Sequence, residues 1–93
     1  MRKHDTILDV AGLLGDAEVL AESLLEGDLD EARFRANLIS GQAGLLELMT
    51  VARQARAVTR LLDGPGERLL PGHAQAVSDL SLSLDQALAH ALS

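Results

Sequence analysis

Apolar side chains recur along this chain at helical spacing, in four stretches separated by glycines, prolines or capping residues. The first runs from about Thr6 to Glu26, with Ile7, Ala11, Leu14, Ala21 and Leu25 as its expected inner stripe. Gly12 and Gly15 weaken it, since each glycine inside a helix costs about 1 kcal/mol relative to alanine. Asp16 is placed to cap a fresh start, so a kink or two short helices stand as alternatives to one rod. From Asp28 to about Leu46, a rotation of about 100° per residue puts Ala32, Ala36, Ile39, Ala43 and Leu46 on one stripe. It puts Phe34, Leu38 and Leu45 on another, which implies two packing neighbours. Arg33, Asn37, Ser40, Gly41 and Gly44 share the remaining arc, the expected exposed face, while Arg35 and Gln42 fall between the stripes and need polar partners or a route to water.

From about Glu47 to Leu62, Leu48, Val51, Ala52, Ala55, Val58, Thr59 and Leu62 form an inner face and Arg53, Arg56 and Arg60 an outer one. The last stretch, His73 to Leu92, lines up Val77, Leu80, Leu84, Ala87, Leu88 and Ala91. Inside it "DLSLSLD" alternates like a strand, but the alanine-rich helical pattern on both flanks predicts helix.

The boundaries have local causes. Gly27 suits the left-handed residue that closes a helix, and Asp28 with Glu31 three positions on makes a capping box that opens the next. "DGPGERLLPG", residues 63–72, cannot continue a helix through its prolines and is the one loop expected. Short connections make consecutive helices lie side by side, which predicts an all-α, antiparallel up-down-up-down four-helix bundle in a single domain, residues 1–93. If Gly41 and Gly44 were instead absorbed into one helix from Leu29 to Leu62, the chain would expose too much apolar surface and would have to dimerise.

Composition narrows the class further. At 93 residues one modest core is available, hiding about 60–65% of the unfolded chain's surface. With one Phe and no Trp or Tyr, that core is aliphatic and alanine-rich, which suits helices. The lack of cysteine removes disulfides and thiolate metal sites and points to the cytoplasm. Acids at Asp5 and Asp9 interrupt the start before a signal-like apolar run develops, and nothing approaches the roughly 20 apolar residues of a membrane span.

A net charge of −6 argues against nucleic acid, whose phosphates need clustered Lys and Arg. The charge is unevenly spread. Residues 1–31 hold nine acids against Arg2 and Lys3, whereas residues 32–62 hold five arginines against Glu47 alone. Such segregation can pair helices within a bundle, steer a charged partner, or simply solvate two faces.

Catalytic chemistry has little to stand on. His4, His73 and His90 are too scattered to ligate a metal, and no nucleophile elbow or glycine-rich phosphate loop accompanies the Ser, His and Asp residues. Asp28, Asp30 and Glu31 are accounted for by their place at a helix N-terminus. No cofactor is expected, nor an enzyme; the one enzymatic alternative would use His73 as a phosphate acceptor.

The stretch "GDLDEARFRANLISGQAGLLEL", residues 27–48, resembles the histidine-containing phosphotransfer (Hpt) family, whose central helix carries Ala-His-x-Leu-Lys-Gly followed by a small polar residue and Ala. The register here is Ala36, Asn37, Leu38, Ile39, Ser40, Gly41, Gln42, Ala43 and Gly44, and the following "VARQARAVTRLLDG" is also similar to the family. The resemblance covers most of residues 17–64. It implies a four-helix bundle that docks on receiver domains of two-component signalling, with Gly41 kept bare so that a partner's loop can approach. Two positions depart from the pattern. Asn37 stands where the family has its phospho-accepting imidazole, and a carboxamide nitrogen, its lone pair delocalised, is no nucleophile. Ser40 replaces the lysine whose charge would attend a phosphoryl group. The expectation is a degenerate member that binds a receiver domain or a histidine kinase through Arg33, Asn37, Ser40, Gly41 and Gly44 without relaying phosphate. The alternative is a structural interaction module, such as a homodimer, unrelated to phosphorelay.

Overall fold

Four helices carry the chain in the computed structural model, which describes residues 3–64 and 69–93, with side chains from residue 6 onward. They are α1 (Lys3–Glu26), α2 (Leu29–Leu45), α3 (Met49–Leu62) and α4 (His73–Leu92), and no strand occurs among the described residues. α1 is one helix through both Gly12 and Gly15, and residues 79–85, the alternating stretch, are helical within α4. Pro65 and Gly66 of the expected loop lie outside the described residues. What can be followed of that connection is its far side, where the Leu70 amide donates to the Leu61 carbonyl at 2.8 Å.

The two tight turns close in the same way. After α1, Gly27 takes φ +76°; the Gly27 amide reaches the Leu24 carbonyl and the Asp28 amide reaches the Ser23 carbonyl at 2.8 Å. After α2, Glu47 takes φ +60°, with its amide on the Gly44 carbonyl and the Leu48 amide on the Ala43 carbonyl at 2.9 Å. Both satisfy otherwise orphaned helix-end carbonyls through a left-handed residue. Only the first uses the glycine that the conformation favours. Asp28 then caps α2, its carboxylate accepting from the Glu31 amide at 3.2 Å.

Each helix packs on the next, and α1 packs on α4, so the four stand at the corners of a bundle measuring 43 × 21 × 18 Å. Contacts run between the beginning of one helix and the end of its neighbour: Arg33 early in α2 reaches Leu62 at the end of α3, and Leu25 late in α1 lies by His73 at the start of α4. The core is aliphatic, with Leu20, Ile39, Leu62, Leu80, Leu84, Val10 and Val58 as its largest fully buried side chains. The polar groups within it are satisfied by their own helices: Ser23 donates to the Val19 carbonyl and Ser83 to the Asp79 carbonyl.

Two expected stripes need correction. In α1 the buried set is Val10, Leu13, Ala17 and Leu20; of the expected stripe, Leu14 and Ala21 pack half-buried against the core and Ile7 is half-buried, but Ala11 is exposed and Leu25 is 89% exposed. Paired leucines at 13–14 and 24–25 let two stripes about 100° apart compete, and packing between α2 and α4 selects the other one. In α2, Ala32, Ala36, Ile39 and Ala43 are fully buried, but Phe34, Leu38 and Leu45 do not form a second packed stripe. A helix at a corner meets both neighbours through one broad arc, so α1 and α3 share the side of Ala32, Ala36, Ile39 and Ala43, and Phe34 and Leu45 face out.

Candidate docking surface

The outward face of α2 is built by what its inward face leaves over. Ala32, Ala36, Ile39 and Ala43 are buried, and residues half a turn away stand proud. Phe34 is 55% exposed and Leu45 is 81% exposed, and Leu38 between them is half-buried. Asn37, Gly41 and Gln42 are exposed alongside. A side-chain carbon added at Gly41 would meet nothing within 4 Å. The result is an uncharged strip with a low point at Gly41, flanked by two apolar projections.

α1 extends the strip sideways. Leu8, 68% exposed, lines a groove of about 380 Å³ between α1 and α2 together with Gly12, Leu38, Gln42 and the carboxylates of Asp9 and Asp16. Gly12 contributes no side chain, which keeps that groove open. One rim is polar and internally paired: the Arg35 guanidinium donates to Asp16 at 2.8 Å and to Glu31 at 2.9 Å, and lies 5.5 Å from the centre of the Phe34 ring. The Glu31 hydrogen bond, and then that of Asp16, hold Arg35 more firmly protonated than usual against some desolvation. This meets the need for polar partners read from the sequence at Arg35; Gln42 takes the other route, to water.

The five residues expected to share the binding face divide. Asn37 and Gly41 are on it. Arg33 is not: its side chain is only 18% exposed, because the guanidinium turns to α3, donating to the Leu62 carbonyl at 3.0 Å and pairing with Asp63 at 3.5 Å. An arginine with an orphaned helix-end carbonyl and a carboxylate within reach is better satisfied there than in water. Ser40 and Gly44 are half-buried, at the edge of the strip and not within it. Helical spacing alone does not reveal every member of this surface: it puts Phe34, Leu38 and Leu45 on a packing stripe and gives no sign that Leu8 and Gly12 belong here. The signal was the contrast in size between the two α2 stripes, since alanines allow the closer helix approach.

The strip offers binding and little chemistry. The Asn37 side-chain amide donates to the Arg33 carbonyl one turn back at 3.0 Å, which fixes the carboxamide against its own helix. His73 is remote from it, at the start of α4, with Nδ1 3.1 Å from the Leu70 carbonyl, and His90 lies near the end of α4. Among the described residues no three His, Asp or Glu side chains gather as metal ligands, and no helix is long and apolar enough to cross a membrane. Compared with protein-family models, with curated proteins and with solved structures, the chain matches none of them.

Proposed function

We propose that this chain is a docking module similar to phosphotransfer domains that binds a receiver domain or a histidine kinase of a two-component system through the outer face of α2 and relays no phosphate. The observation that carries this reading is the exposed strip on α2, open at Gly41 and bounded by Phe34 and Leu45, with a carboxamide at position 37 where the resemblance calls for an imidazole. Its apolar projections supply the desolvated anchors on which protein recognition depends, and its neutral centre suits a partner surface of either sign. Such a module acts by occupancy: while bound, it covers the surface that a competent phosphotransfer domain would use.

The test is to mix the protein with candidate receivers and an acid-labile phosphodonor, following complex formation and label separately. A complex with unlabelled protein is expected. Transfer of label to the chain would refute the absence of relay, and failure to bind any receiver or kinase would refute the partner class. Gly41→Arg should abolish the complex while helix content stays intact, because arginine is the better helix former.

The exposed Phe34 and Leu45 also favour a second reading, in which two copies meet through this same face as a structural dimer. Association through an apolar strip persists in high salt, so a dimer that survives about 1 M salt and is lost on Phe34→Ser would favour it over the first.

A further inference from the structure

A different part of the surface carries its own interaction. α3 presents Arg53, Arg56 and Arg60 outward, all exposed and none paired with a carboxylate among the described residues. α1 presents Glu18, Glu22 and Glu26, likewise exposed and unpaired. α1 packs on α2 and α4, and α3 packs on the same two helices, so these rows stand at opposite corners of the bundle and do not neutralise each other within one molecule. Part of the charge segregation read from the sequence is used inside the bundle, where Arg35 pairs with Asp16 and Glu31; the part carried by these two rows is external.

The rows match in scale. At 1.5 Å per residue, three carboxylates span about 12 Å of α1 and three guanidinium groups span about 10.5 Å of α3. Each row has a large apolar residue beside it, Leu25 at 89% exposure on α1 and Met49 at 50% on α3. We propose that the arginine row of α3 receives the glutamate row of α1 from a second copy of this chain. Because the rows lie on opposite sides, one contact leaves each copy with a free row, so the association is head-to-tail and does not close at a dimer. The pairs remain near solvent, which makes the assembly weak and strongly dependent on ionic strength.

Sedimentation equilibrium of the whole chain over rising concentration tests this at about 0.01 M and about 1 M salt, where charges are screened over about 30 Å and about 3 Å. In low salt the weight-average mass should climb past twice the 9.8 kDa of one chain, and in high salt it should return to that of one chain. Arg53→Glu with Arg56→Glu, and separately Glu22→Lys with Glu26→Lys, should each abolish association, and an equimolar mixture of the two variants should restore it. Since all four positions are exposed, circular dichroism should show unchanged helicity. A mass independent of concentration in low salt would overturn the proposal, as would association that persists in high salt or in either variant alone.

Discussion

Gly41 offers the sharpest check on the docking surface, because openness there has a thermodynamic sign. The residue lies inside α2 with ordinary helical backbone, and a methyl group at its Cβ position would meet no atom within 4 Å. Gly41→Ala therefore creates no clash and removes backbone freedom from the unfolded chain, stabilising the fold by about 0.8–1.0 kcal/mol. For a domain of this length that is a rise of roughly 4–8 °C in Tm. Gly27 supplies the opposite control. Its surroundings are equally empty, but its φ of +76° makes Gly27→Ala cost about 1–2 kcal/mol. Thermal unfolding followed by far-ultraviolet circular dichroism measures both, and the two shifts should differ in sign. If Gly41→Ala lowers Tm, position 41 is packed against something, and the open strip on α2 does not exist.

Substitutions at four further positions probe how α2 is held. Ala36→Leu overfills a fully buried position and should cost about 1–3 kcal/mol in denaturant unfolding, whereas Phe34→Ser, exposed on the opposite side of the helix, should change stability by less than about 0.5 kcal/mol. Glu47→Gly relieves a left-handed backbone at a non-glycine residue and should stabilise by about 0.5–1 kcal/mol, the relief of strain being partly offset by glycine's freedom in the unfolded chain; an unchanged denaturation midpoint would contradict the turn geometry. Arg33→Ala leaves the Leu62 carbonyl without its donor and should cost about 1.5 kcal/mol, with Arg33→Lys failing to restore it because one ammonium cannot reproduce the guanidinium fork.

The helices themselves were legible because their signals are local. Gly27, Asp28 and Glu31 mark the first turn where the structure has it, and the inner face of α3, from Val51 to Leu62, is the one its spacing dictates. The end of α2 was harder to place, since the left-handed residue that closes it is Glu47, with no glycine to announce it and with Gly44 as a decoy three residues earlier. Which of two apolar stripes is buried was not legible in α1 or α2, because that choice belongs to the neighbours and not to the helix's own period. The docking strip was half legible for the same reason. Asn37 and Gly41 follow from helical rotation alone, but Arg33 is drawn aside by a carbonyl 29 residues further along the chain, and no local pattern contains that.

The alanine side of α2 determines how the opposite side behaves when something lands on it. Methyl groups have no alternative rotamers, so a helix seated on Ala32, Ala36 and Ala43, with the β-branched Ile39 as its one longer buried side chain, has little room to repack beneath a load. The strip is thus presented in one pre-organised shape, and the ordering entropy of complex formation falls mainly on Phe34, Leu38 and Leu45. A partner must mould itself to this surface, which makes shape complementarity the burden of the visitor and not of the host.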